Sequence, residues 1–235
     1  MVIVRRSAER GRVDHGALDS RHTFSFGSYR DPKHVHFRAL RVLNEDRVAP
    51  GGGFPMHEHD NMEIFSYVLS GELAHTDSMG NSATMRAGDV QRMSAGTGVM
   101  HSEFNPSAET AVHFIQAWLF PAEQGRTPSY EQKSFGPAHT RGGSGVTTLL
   151  SPDGREGSVT IGQDAVILSV TLTGGQRASL AIGAGRSVFV QMLRGTMSVS
   201  WNRLETGDSA SITGETVVPL SGVEAESEAL VFDLA

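Results

Sequence analysis

Apolar residues in this chain come in short runs, at 39–43, 64–69, 111–119, 165–172, 187–193 and 229–233, often with Gly, Pro, Asn or Asp between them. The runs are rich in Val, Ile, Leu and Phe, and no long stretch repeats at the helical period. Short strands separated by turn residues predict an all-β sandwich or barrel. The 235 residues suffice for one large β domain or two of ordinary size. An internal echo favours two. Val68-Leu69-Ser70-Gly71-Glu72-Leu73 is followed by Arg86-Ala87-Gly88-Asp89, and Met192-Leu193-Arg194-Gly195-Thr196-Met197 by Glu205-Thr206-Gly207-Asp208. In each copy a strand ends in a glycine turn, a second returns, and a Gly-Asp turn opens a third. The stretch 121–146 holds Pro121, Pro128, Pro137 and five glycines among polar residues. The expected organisation is an N-terminal barrel over 1–120, a connecting segment over 121–146 and a C-terminal barrel over 147–235.

Histidine is confined to the first half. All ten lie between His15 and His139, and residues 140–235 have none. In a strand, residues i and i+2 face the same way, so His57 and His59 project together, as do His101 and Glu103. Two such strands facing one interior bring three imidazoles and a carboxylate onto one ion, a donor set suited to a borderline transition metal. Glu63 competes with Glu103; its spacing from His101 favours Glu103, and Glu63 is then a supporting or salt-bridge residue. Gly51-Gly52-Gly53 precedes the first pair, and Gly96-Thr97-Gly98 reads as a tight turn that delivers His101. His34 and His36 follow Asp31-Pro32, a turn signal, and read as structural or surface residues. His15, His22, His75, His113 and His139 read as hydrogen-bonded or exposed imidazoles. Counting from the echoed glycines, Ala181, Gly183, Leu220 and Gly222 stand where His57, His59, His101 and Glu103 stand in the first copy. None of these four ligates a metal through its side chain.

Composition narrows the function classes. The formal charge of −6 argues against a nucleic-acid surface. The absence of cysteine excludes disulfides, thiolate metal sites and cysteine nucleophiles, and fits a cytoplasmic protein. The apolar run at Met1–Val4 is too short for a signal peptide, and no stretch approaches the ~18 apolar residues of a membrane helix.

These residues resemble the cupin superfamily. Gly51, His57, His59, Glu63 and Gly71 follow its first motif with one extra residue before the last glycine. Gly88, Gly98, His101 and Asn105 follow its second, with Ser94 in place of a proline and a longer turn. The chain is more closely similar to the pirin family, especially its bacterial quercetinase-like members. His22-Thr23-Phe24-Ser25-Phe26, Asp60-Asn61-Met62-Glu63-Ile64, Gln91-Arg92-Met93-Ser94-Ala95-Gly96-Thr97-Gly98 and His101-Ser102-Glu103-Phe104-Asn105 carry the likeness, which is strong over residues 10–135. The resemblance implies a bicupin with metal only in the N-terminal barrel, held by His57, His59, His101 and Glu103. It implies one divalent ion, Fe(II) first, with Mn, Ni, Cu and Zn as alternatives. It implies a quercetin 2,3-dioxygenase acting on a flavonol and dioxygen; for that reaction Glu103 is expected to serve as base as well as ligand, and Phe54, Met56 and Gln116 are expected to line the substrate pocket. The alternative it carries is a metal-sensing module that binds a transcription factor or metabolic enzyme. Pro55-Met56-His57-Glu58-His59 departs from the family's Gly-Thr-His-Pro-His, which leaves the ligands in place and alters the pocket lip. His36 stands where the family usually has a small residue.

Overall fold

The computed structural model describes residues 1–138 and 145–235; His139 lies outside the described residues. Among these there is no α-helix, only strands, turns and short 3-10 segments such as Ser7–Glu9 and Arg155–Gly157. The strands before the undescribed stretch are β1 (Val2–Arg5), β2 (Gly11–Asp14), β3 (Leu18–His22), β4 (Leu40–Val48), β5 (Gly53–His59), β6 (Glu63–Ser70), β7 (Glu72–Asp77), β8 (Ser82–Arg86), β9 (Asp89–Ser94), β10 (Val99–Phe104), β11 (Val112–Leu119) and β12 (Ser129–Ser134). After it come β13 (Val146–Ser151), β14 (Val159–Thr160), β15 (Ala165–Leu172), β16 (Arg177–Ala181), β17 (Ser187–Arg194), β18 (Thr196–Val199), β19 (Asn202–Glu205), β20 (Ser209–Thr213), β21 (Val217–Gly222) and β22 (Ser227–Leu234).

The chain divides into two compact units, Gly11–Pro137 with Val159–Gln163, and Met1–Arg10 with Ala138–Ser158 and Asp164–Ala235. In the first, one sheet runs β12-β9-β6-β11-β4-β3-β2 and the other β5-β10-β7-β8. The other large sheet runs β1-β20-β17-β22-β15-β13-β14, and the other small sheet β16-β21-β18-β19. Strand for strand the two orders correspond, so the echo read in the sequence is an echo of topology.

Its landmarks are backbone requirements. Gly71 and Gly195 both have positive φ, at 76° and 68°. A Cβ there would lie 2.6 Å from the Ala111 carbonyl oxygen and 2.2 Å from that of Glu226. Only glycine meets both demands.

The contact-defined units depart from the boundaries expected from sequence at three places. Residues 1–10 do not belong with the N-terminal barrel; β1 pairs with β20, from Val2↔Ile212 to Arg5↔Ser209. Within the expected connecting segment, β12 pairs with β9 along its length. Residues 159–163 join the first unit, where Arg92 Nε donates to the Thr160 carbonyl at 2.8 Å. A strand's partner is set by shape and pairing across the whole fold, and local composition does not record it.

The interiors of the units differ. In the second, Val170, Val188, Val190, Met192, Met197, Val199, Val218, Leu220 and Val231 pack into one continuous apolar core, with Ala178 and Leu180 against it. In the first, some of the buried apolar residues cluster around Val68, Leu73, Met85 and Phe114 and others around Ile64, Met93, Ala95 and Val99. Polar side chains, among them Asn44, Asp46, His59, His75, His101, Glu103 and Gln116, are buried in this unit as well.

Candidate metal centre

β5 and β10 run antiparallel with His101 directly opposite His57. Between His101 and Glu103 the register shifts, so that Glu103 faces Phe54. β5 thus spends three residues where β10 spends two, a bulge of the kind that re-aims side chains beside a site. Along β10 the burial alternates, with Val99, His101 and Glu103 buried and Met100 and Phe104 exposed. The turn expected at 96–98 is present, with the Gly98 N–H on the Ala95 carbonyl at 2.9 Å, just before β10.

The three imidazoles meet. Ring centroids are 4.4 Å apart for His57 and His101, 4.7 Å for His57 and His59, and 4.9 Å for His59 and His101. One ring nitrogen from each lies within 4.8 Å of the other two. The Nε2 atoms of His59 and His101 are buried and have no hydrogen-bond partner. Leaving a buried polar atom without one costs about 1–3 kcal/mol, and a cation set between these nitrogens would serve them all. His57 Nδ1 donates to the Pro55 carbonyl at 2.8 Å, which leaves its Nε2 lone pair for a ligand. The donor set therefore fits a borderline divalent transition metal.

Glu103 stands a little apart. It groups with His101 and His75 rather than with all three imidazoles of the first set. Its oxygens accept from Ser66 Oγ at 3.2 Å and from Gln116 Nε2 at 2.6 Å, and Gln116 Oε1 accepts from Trp118 Nε1 at 3.2 Å. Burial pushes the Glu103 carboxyl up to about 7; the Ser66 and Gln116 hydrogen bonds oppose that rise, and the Asp46 charge adds to it. Burial is also the main cause for the histidines. It lowers His59 to about 4, with His57 adding to the effect, and His101 to about 2, with His57, His59 and His75 adding. Both imidazoles are neutral at ordinary pH, the form a metal requires.

The site opens into a cavity of about 340 Å³ lined by Phe26, Phe54, Met56, Trp118, His57 and Glu103 among others. Phe54, Met56 and Gln116, expected at a substrate pocket, all border it. So do residues that sequence reasoning set aside or passed over: His15 and His22, and Val13, Leu18 and Ser20 from β2 and β3. Trp118 packs edge-on to His59 at 4.6 Å and to Phe26 at 5.1 Å.

Glu63, the rival carboxylate, belongs to neither ligand group. It is buried and accepts from Ser94 Oγ at 2.8 Å and the Gly162 N–H at 2.9 Å. Of the two roles expected for it, supporting or salt-bridge residue, these neutral donors fit the supporting one. His34 Nδ1 contacts Asp31 at 2.8 Å, and His36 Nδ1 donates to the Arg38 carbonyl at 3.1 Å, so both are turn residues. His113 meets Glu45 at 3.0 Å. His75 is hydrogen-bonded as expected, but inside the site, opposite Glu103 on β7. A signal was available: His75 and Asp77 have the same i, i+2 spacing on a strand that opens at Gly71.

The pirin family profile matches residues 3–119, and that of the quercetinase C-terminal cupin domain matches 148–234. Quercetin 2,3-dioxygenase of Escherichia coli K12 is 42% identical over 234 residues, covering 100% of this chain and 99% of that protein. The chain belongs to the pirin family. A pirin-like protein of Caulobacter vibrioides is 40% identical over 96% of both chains. The crystal structure of the bacterial pirin YhhW from Escherichia coli in complex with nickel(II) superposes with a TM-score of 0.94 at 41% identity, covering 100% of this chain and 99% of that one. The protein is a pirin built as a bicupin, two cupin-type barrels in one chain.

Proposed function

We propose that this pirin is a metal-dependent dioxygenase of the quercetin 2,3-dioxygenase type. One divalent ion, iron(II) foremost, would sit with His57, His59, His101 and Glu103. The observation that carries the reading is the set of partnerless imidazole nitrogens beside a cavity of about 340 Å³ with aromatic and thioether walls. That volume is at the lower end of the range for small-molecule sites, about 300–1,000 Å³, and suits one flat aromatic molecule. Relatives 40–42% identical over nearly their full lengths are named quercetin 2,3-dioxygenases, established or putative, and one relative was crystallised with nickel(II). The absence of cysteine suits the cytoplasm as its place of work.

The ion, when bound, supplies a Lewis acid and a template for flavonol and dioxygen. Both dioxygen atoms enter the ring-opened product, and one carbon leaves as carbon monoxide. The residues do the rest. Glu103, buried and bordering the cavity, takes the proton of the flavonol 3-hydroxyl, which a positioned carboxylate within reach can accept. Ser66 and Gln116 hold its two oxygens, and Trp118 fixes the Gln116 amide so that its N–H₂ faces the carboxylate. Phe26, Phe54 and Trp118 exclude water and sandwich the rings. An enzyme is preferred to a purely metal-sensing module because the imidazoles border a cavity; a structural metal site is closed by its own ligands.

The test is dioxygen uptake with quercetin by protein loaded with iron(II) or nickel(II). Sustained uptake with carbon monoxide release is expected. Glu103→Gln should lower the rate per bound metal by ~10²-fold or more. A wild-type protein that binds metal without turnover would instead leave the regulatory module standing.

A further inference from the structure

We propose that the buried pair His75 and Asp77 is a positioning device for His101, fixing the tautomer that presents His101 Nε2 to the other two imidazoles and thereby setting the affinity for the ion. The proposal rests on the reading of His101 as a metal ligand. β7 places His75 and Asp77 opposite Glu103 and His101 of β10, and neither side chain is exposed to solvent.

Asp77 anchors the pair. Its Oδ1 accepts the backbone N–H of Met79 at 2.9 Å and of Asn81 at 3.1 Å, and Asn81 Nδ2 reaches Oδ1 at 3.1 Å and Oδ2 at 2.9 Å. A carboxylate so surrounded by donors is an acceptor, so His75 Nε2, 3.0 Å from Oδ2, carries the proton. A neutral imidazole has one N–H, so His75 Nδ1 must accept. Two groups aim at that lone pair, Gln91 Nε2 at 3.2 Å and His101 Nδ1 at 3.4 Å. The Tyr130 hydroxyl gives its one proton to Gln132 Oε1 at 2.8 Å and lies 3.5 Å from Gln91 Oε1. Tyr130 also stacks on His75, with centroids 4.9 Å apart and planes at 26°.

The proton of His101 therefore sits on Nδ1, and Nε2 keeps its lone pair. That nitrogen is the one buried without a partner. At 3.4 Å the contact between the rings is long and weak as a bond. Its effect is orientation, because the opposite tautomer would set two lone pairs against each other and turn an N–H toward His57 and His59. A metal-ligating imidazole commonly donates its other N–H to a fixed acceptor, and loss of such an acceptor costs 10–100-fold in affinity.

His75, His101 and Glu103 also form a three-donor group of their own. A second ion there is the poorer account. Both nitrogens of His75 already have partners, whereas Nε2 of His59 and Nε2 of His101 have none.

The experiment uses the full chain and two variants. His75→Leu removes the donor to Asp77 and the acceptor for His101; His75→Gln keeps an N–H₂ for the one and a carbonyl for the other. Long-range ¹H–¹⁵N NMR of the metal-free protein reads the tautomer, and chelator competition with nickel(II) reads the affinity. Wild type should show His101 protonated on Nδ1. His75→Leu should mix the tautomers and bind nickel ~10–100-fold more weakly, and His75→Gln should recover most of both. Equal affinities in the Leu and Gln variants, or Nε2–H in the wild type, would overturn the proposal. A wild type that takes up no nickel sinks the ligand reading of His101, and the tautomer comparison then decides the positioning role by itself. Should His75→Leu not fold, His75→Phe, which keeps a ring on Tyr130, takes its place.

Discussion

His57 carries a weight that the other H-x-H pair does not. His57→Ala should abolish tight nickel(II) binding, because two nitrogens and a distant carboxylate make a poor site for a borderline ion. The double variant His34→Ala/His36→Ala should bind as the wild type does, since its side chains hold Asp31 and the Arg38 carbonyl. Titration calorimetry on both proteins checks this, and the reverse result would move the site. Asp31 offers a pH test. The Lys33 backbone N–H and then His34 lower its carboxyl to about 2. A depressed folded pKa gives stability that is present above the unfolded value near 4 and lost as pH falls through the folded value. The melting temperature of wild type should exceed that of Asp31→Asn at pH 6, and the gap should close between pH 4 and pH 2. A gap that is constant with pH would mean that the charge contributes nothing.

Period-2 alternation made the elements of the site legible. It set His57 with His59 and His101 with Glu103 on one face, and the burial along β10 follows it residue by residue. The echoed glycines were legible because positive φ and close backbone approach leave no substitute at Gly71 or Gly195. The partner of β1 was not legible. Val2 and Val4 look like any short apolar start, and nothing near them names Ile212 and Ala210 as neighbours. Both valines pack against the core of the second unit from partly buried positions. Val2→Ala with Val4→Ala should therefore cost about 1–2 kcal/mol of stability, less than the full burial value of two methylenes each. Nickel affinity should stay unchanged, because the imidazoles belong to the other unit. Denaturant unfolding beside a binding titration reads both; a lost metal site with unchanged stability would contradict the assignment of β1.

At the scale of the whole molecule, neither unit is one continuous stretch of chain. The first needs residues 159–163, whose Gly162 N–H serves buried Glu63 and whose Thr160 carbonyl serves buried Arg92. A fragment ending at residue 146 strips partners from two buried ionisable side chains and leaves β1 without β20. It should aggregate on expression. A soluble 1–146 fragment with wild-type nickel affinity would show that these contacts are dispensable. In the second unit, Ala178, Leu180, Val218 and Leu220 fill the interior on the strands that correspond to β5 and β10.

The pairing of Val2 with Ile212 also sets a timetable. At about 5–20 residues per second, a ribosome finishes β20 some tens of seconds after β1 has emerged. Throughout that interval β1 is a short apolar strand with nothing to pair with, while the first unit waits for residues 159–163. The first unit can therefore close only after residue 163 has emerged, and the second only after β20 has been made. The yield of this chain in a heterologous host should then depend on codon choice upstream of residue 163 and on chaperone supply as much as on the stability of the finished fold.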